Sequence, residues 1–249
     1  MVRYKRGNPK IESEMATIDD FRKPFIPTTN SESIEGLLRS SESQVTERTV
    51  VLCKPLDFGV VIGSTQKVST DLADYATSHS IKVHRRSSGG SAVVIDPRSS
   101  IWIDIFLPPN DPLASTSIER TFEVASTGWI ALLDSLEIAG EVYRGPYSLP
   151  PKYKEICFAG RAHGEILVRD KKVVGMAQRR RRIGTYIHTM AYANFPYAAT
   201  FEATYGIRDD RSGWKDLAVG SLSEYANFDV AATAAYLENF TDALNKSYS

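Results

Sequence analysis

A cysteine, a lysine and a paired-glycine loop are the parts of this sequence best suited to chemistry. Cys157 opens the tetrad Cys157-Phe158-Ala159-Gly160, and Lys172 begins the apolar run Lys172-Val173-Val174-Gly175-Met176-Ala177-Gln178. A thiolate is a strong nucleophile. A lysine at the head of an apolar strand is held partly desolvated beside the sheet. Blander readings stand next to these: a lone cysteine before Phe is more often a small buried hydrophobe, and a strand lysine can snorkel its head to water. The loop is Arg85-Arg86-Ser87-Ser88-Gly89-Gly90-Ser91-Ala92-Val93. Paired glycines let a backbone turn with positive φ and approach a ligand closely. Exposed N–H groups with two arginines beside them form an anion or carbonyl site, although a plain hairpin connection with two solvated arginines fits the same residues. The segment lacks both Gly-Lys-Ser/Thr and GxGxxG, so it is neither a Walker loop nor a dinucleotide fingerprint.

The elements that must position these groups are short. Strand-like runs start at Thr49-Val50-Val51-Leu52 and return at 58–62, 81–83, 92–95 and 101–106, separated by Gly, Pro and Ser. Three more follow at 165–168, 172–177 and 183–191. Residues 68–79 read as a short helix with a Ser or Thr cap. The clearest helix spans about 116–138, with Ile118, Phe122, Ala125, Trp129, Leu132, Leu133 and Leu136 at helical spacing. Thr116 with Glu119 gives a capping-box signature, and Gly140 suits the stop. A last helix covers Val230–Leu244, capped by Asp229. Residues 1–45 are polar and without a period, which predicts a peripheral arm with one short helix near 31–39. Residues 46–249 then form one domain, and strands grouped with a few packed helices argue for an α+β fold.

Bulk properties narrow the function classes. Thirty basic residues balance thirty acidic ones in 249 residues, so no whole-chain field draws the protein to nucleic acid or to a membrane. No apolar run reaches the length of a bilayer span, and the charged start lacks the apolar core of a secretory signal, which predicts a cytoplasmic protein. Two cysteines, Cys53 and Cys157, make no disulfide framework, and Cys53 has a structural context. The four histidines never fall at HExxH spacing, so no metal site is expected. Arg179–Arg182 reads as a solvated charged face, with docking of an acidic protein as the alternative. Trp102 and Trp129 read as core residues, one of which could line a tunnel. Residues 206–215 read as a turn.

Taken with their order, these motifs resemble the family of lipoate-protein ligases and octanoyltransferases. RRSSGGSAV is similar to that family's Arg-Arg-x-Ser/Thr-Gly-Gly loop, and Val61-Ile62-Gly63-Ser64-Thr65-Gln66 to its upstream Gly-x-x-Gln segment. Asp96 falls where the family often carries an aspartate. Lys172-Val173-Val174-Gly175-Met176-Ala177-Gln178 resembles the family's Lys-(Ile/Val)-x-Gly-x-Ala-Gln. Ser91 stands where many members have a third glycine, and Pro97-Arg98-Ser99-Ser100 replaces the usual Gly-Asn.

The resemblance implies the biotin and lipoate protein ligase-like catalytic domain, a mixed β-sheet packed against helices with a tunnel for a medium-length acyl chain. It implies Cys157 and Lys172 as catalytic groups. Cys157, followed by a Glu-Ile-x-Val strand, sits where cysteine-dependent octanoyltransferases carry their acceptor thiol, and Lys172 would donate to the acyl carbonyl. Lys172 and His163 would also lower the thiol pKa. Arg85, Arg86, Ser88, Gly89, Gly90, Ser91, Ala92, Gly175, Ala177, Gln178 and His188 are then substrate-binding residues. The implied donor is an octanoyl-acyl carrier protein; the acceptors are lipoyl domains of 2-oxoacid dehydrogenase subunits or the glycine cleavage H protein. No cofactor is then needed. An ATP-dependent ligase using ATP and Mg²⁺ through a lipoyl-adenylate is the alternative, and a non-catalytic acyl or carrier-protein binder is a third reading.

Overall fold

The computed structural model describes residues 23–40, 43–44, 46–115, 117–207 and 217–248. A seven-stranded sheet runs β1-β2-β6-β10-β9-β8-β7. Its strands are β1 (Ile26–Glu32), β2 (Thr49–Pro55), β6 (Ser100–Leu107), β7 (Glu141–Val142), β8 (Ile166–Val168), β9 (Lys171–Arg181) and β10 (Gly184–Tyr192). β1 pairs with β2 in parallel and every other neighbour is antiparallel. A second sheet of three strands has β3 (Gly59–Ile62) between β4 (Lys82–Arg85) and β5 (Val93–Ile95). The fold is the expected α+β arrangement with a mixed sheet.

β6 and β10 are buried along nearly their whole length because both faces of the large sheet are covered. On one face lie α3 (Ile118–Ser135) and α5 (Thr233–Tyr248), which bury Trp129, Leu132 and Leu133 against Phe240 and Leu244. The other face carries Trp102, Met190 and Tyr192, packed against Val61 and Ile95 of the small sheet. Beyond that sheet, α2 (Thr70–Ser78) and α4 (Tyr197–Tyr205) close the outer layer with Leu72, Tyr75 and Ala203. The space between the two sheets is where the candidate site forms. Among the described residues no helix is long and apolar enough to cross a membrane.

Several expectations are corrected. The arm read over 1–45 gives way at Ile26, where β1 adds an edge to the sheet through its backbone while its side chains stay largely exposed; the short helix expected near 31–39 is present as α1 (Ile34–Ser40), which buries Ile34 and Leu37. Residues 1–22 lie outside the described residues, as does Thr116 of the capping box. Ser117 is the observed cap, accepting from the Arg120 N–H at 3.2 Å. α3 ends at Ser135 with Leu136 as its cap and Glu137 in the left-handed conformation, not at Gly140. Asp229 caps a single 3-10 turn that leads into α5. Of the segment 206–215, Gly206 caps α4 with φ 64° and residues 208–215 lie outside the described residues.

Candidate active site

A backbone bridge brings the two motifs together. The N–H of Ala92 donates to the Glu155 carbonyl and the N–H of Cys157 donates to the Ala92 carbonyl, both at 3.0 Å. The glycine loop is thereby stitched to the short 3-10 turn Cys157–Ala159. Gly63 permits the closest approach: a Cβ there would sit 1.8 Å from the Gly90 carbonyl oxygen. Gly90 itself has φ 101°, and a Cβ on it would lie 3.7 Å from the Cys157 Sγ. The half-buried thiol is therefore against the loop. Among the described residues, the N–H groups of Gly89, Gly90 and Ser91 donate to no backbone or side-chain atom. Consecutive free N–H groups in a turn are an anion or oxyanion cradle.

The two arginines do different work from that expected. Arg85 Nη1 donates to the carbonyls of Gly63, Ser64 and Gln66. Arg86, 6% exposed, binds the carbonyls of Gly89, Ser91 and Val61. Both brace the loop from within, and Arg86 also lines the pocket. Ser88 is buried and its carbonyl holds the Ser64 N–H. The Ser91 hydroxyl donates to the Lys154 carbonyl at 2.6 Å, so the residue in place of a third glycine ties the loop to the Cys157 segment. Gln66, from the upstream motif, donates to Glu155 at 2.8 Å.

Lys172 is buried, with its side chain 1% exposed. Its Nζ donates to the carbonyls of Cys157 at 3.1 Å and Gly160 at 2.9 Å and pairs with Glu165 Oε1 at 2.7 Å. Those contacts use all three ammonium protons. In this arrangement the lysine clamps the 157–160 turn, and the expected bond to an acyl carbonyl would have to displace one of them. Glu165, which sequence reasoning did not single out, also accepts from the N–H groups of Met176 and Ala162. A carboxylate at the foot of the apolar strand that precedes Lys172's own strand was the available signal.

An apolar pocket opens beside the thiol, between the two sheets. Cys157, Phe158 and Arg86 are part of its lining; Val61, Val93 and Ile95 form the small-sheet wall. Gly175, Ala177, Trp102, His188 and Met190 present the large-sheet wall, and Leu38 of α1 completes it. Of the two tryptophans, Trp102 lines this pocket and Trp129 packs in the helical core. His188 Nδ1 lies 3.0 Å from Asp104 Oδ2, and Asp104 is a second buried carboxylate that sequence reasoning missed. Cys53 is fully buried, and burial followed by the nearby Asp104 carboxylate pushes its thiol well up; it stays a protonated structural cysteine.

Other expected site residues fall elsewhere. Gln178 donates to the Ile118 carbonyl and does not line the pocket. His163 sits beside Glu123 on α3, away from the thiol, so a role in lowering its pKa has no geometric support. The arginine run ends β9: Arg179 donates to the Ser87 carbonyl and Arg180 to Ser117 and Thr121. Arg180 and Arg182 are exposed.

Comparison with known proteins agrees with this architecture. Residues 27–243 match the lipoyl protein ligase A/B catalytic domain, and the chain belongs to that family. It is 29% identical over 125 residues to an octanoyltransferase, LipM, from Clostridioides difficile strain 630, covering 48% of this chain and 44% of that one. The chain thus spans less than half the length of that curated relative. A bi-partite lipoate protein ligase from Thermoplasma acidophilum, described with its E2 lipoyl domain, superimposes with a TM-score of 0.66 at 14% identity, covering 90% of this chain and 84% of that one. Lipoate-protein ligase A bound with ATP gives 0.63 at 16% identity, with coverages of 90% and 85%. These likenesses show the fold.

Proposed function

We propose that this chain transfers a medium-length acyl group of the octanoyl or lipoyl type from a carrier-protein thioester, through Cys157, to a lysine of a lipoyl domain. The observation that carries the reading is the position of the thiol, against the Gly90 turn and in the lining of a mostly apolar pocket. In the first step the Cys157 thiolate attacks the thioester carbonyl. A new C–S bond forms, the carrier C–S bond breaks, and the carrier thiolate takes up the proton that Cys157 released. In the second step the acceptor amine attacks, the amide C–N bond forms, and Cys157 leaves and regains a proton from the amine. Thioester exchange is nearly balanced, whereas amide formation runs downhill. The free N–H groups of Gly89, Gly90 and Ser91 are suited to hold the oxyanion of each tetrahedral intermediate. No cofactor enters this scheme. The similarity to an octanoyltransferase supports an octanoyl-type group as the one transferred, and the pairing of the T. acidophilum ligase with its E2 lipoyl domain supports the acceptor class.

The test is intact-mass analysis after incubation with octanoyl-acyl carrier protein. An octanoyl adduct that maps to Cys157 and disappears in Cys157→Ser is the expected result. Lipoyl-domain modification that requires ATP and Mg²⁺ and survives Cys157→Ser would replace this reading with the adenylate-forming ligase. Acyl binding without modification under either condition would leave a non-catalytic binder.

A further inference from the structure

Beneath the pocket, on the inner face of the large sheet, three polar side chains are buried together. The strand register sets His188 of β10 directly opposite Asp104 of β6. Asp104 Oδ1 accepts the Trp102 Nε1–H at 2.6 Å, and Oδ2 lies 3.0 Å from His188 Nδ1. Asp104 is fully buried and the His188 side chain is 9% exposed. A carboxylate only accepts, so the imidazole turns Nδ1–H to Asp104 and its Nε2 away from it. His188 lines the pocket, and its buried Nε2 meets no partner among the described residues. An unpartnered polar atom is thereby offered to the occupant of a mostly apolar space. Around it the walls are soft: Met190, Trp102 and Phe158 are polarizable surfaces that favour contact with sulfur.

A saturated octanoyl chain filling this pocket would seal Nε2 from water and leave it unpaired. The desolvation penalty of an unpaired buried polar group amounts to about tenfold or more in affinity. Sulfur answers the imidazole in either protonation state: a thiol S–H donates to bare Nε2, and a dithiolane sulfur accepts from Nε2–H. We infer that His188, held by Asp104, selects a sulfur-bearing acyl chain over a plain hydrocarbon chain of the same length. This rests on the acyl-transfer reading above. His188 touches the ligand in this account and Asp104 is a positioning residue.

Calorimetric titration of the full chain with octanoate, oxidised lipoate and dihydrolipoate tests it. The wild type is expected to prefer a sulfur-bearing chain by about tenfold or more. His188→Leu should bring the ratio near unity, chiefly by gaining octanoate affinity, while His188→Gln keeps a polar atom and part of the preference. Asp104→Asn can donate to Nδ1, which places the ring proton on Nε2 and moves the preference toward the oxidised ring; a merely structural aspartate would not. Equal binding of all three acids by the wild type, or a preference that survives His188→Leu, overturns the inference and leaves the acyl pocket standing. No binding of any of the three removes the acyl-pocket reading itself.

Discussion

At the scale of single residues, Lys172 is bound on every side: two carbonyls of the Cys157 turn and the Glu165 carboxylate take its protons, and the Phe158 ring lies 5.2 Å from Nζ. A buried ion pair contributes little net stability against an apolar pair of the same volume, but breaking it strands a charge, at a cost of about 3–5 kcal/mol. Glu165→Ala should therefore lower stability by about that amount in urea unfolding, while Lys172→Met with Glu165→Leu loses much less. Equal losses in the single and double variants would show that the pair is not the source. Releasing the clamp should also loosen the 157–160 turn, so Lys172→Met is expected to slow acyl loading of Cys157 even where the fold survives. Sequence alone supplied the cysteine and the lysine. It gave no role to Glu165 or Asp104, because a single carboxylate in or beside an apolar strand has no meaning until its partner is placed beside it.

At the scale of elements, the site depends on a close approach of Gly63, the residue that follows β3, to the glycine loop. Gly63→Ala would push a methyl into the Gly90 carbonyl. Overpacking against backbone costs about 1–3 kcal/mol, and the displaced loop should lose acyl transfer out of proportion to that loss. Thermal unfolding measured beside the loading rate separates the two effects. Elements with strong periodicity were legible: α3 from its apolar stripe, and β2, β6 and β10 from their β-branched runs. β1 was not legible, since Ile26-Pro27-Thr28-Thr29-Asn30-Ser31-Glu32 pairs through backbone and buries almost no side chain. α4 was missed for a different reason. Its sequence, Tyr197-Ala198-Ala199-Thr200-Phe201-Glu202-Ala203-Thr204-Tyr205, is apolar on several faces and has no clear stripe; packing against α2 and the second sheet holds it helical. The loop at 85–93 was recognisable as a motif, but the inward turn of both arginines follows from carbonyls that only the fold brings near.

At the scale of the molecule, the two ends of the domain are locked together away from the site. Arg48, fully buried, forms a two-pronged pair with Asp111 at 2.8 and 3.2 Å and reaches the carbonyls of Lys23 and Tyr248. α5 covers α3, with the Phe240 ring 5.9 Å from that of Trp129. Phe240→Ala should cost about 3–5 kcal/mol, seen as a lower urea midpoint and altered tryptophan fluorescence, with the inter-sheet pocket on the opposite face of the sheet unchanged. This division, a helical layer for stability and an inter-sheet layer for chemistry, makes the central claim testable in isolation. The direct measurement is a chase: acyl-enzyme prepared from octanoyl-acyl carrier protein, freed of donor, is mixed with a lipoyl domain in the absence of ATP, and both masses are followed in time. Loss of the acyl mass from Cys157 matched by its gain on the acceptor lysine is the predicted result. An acyl-enzyme that never forms, or that persists while the acceptor is modified only when ATP is added, would contradict it.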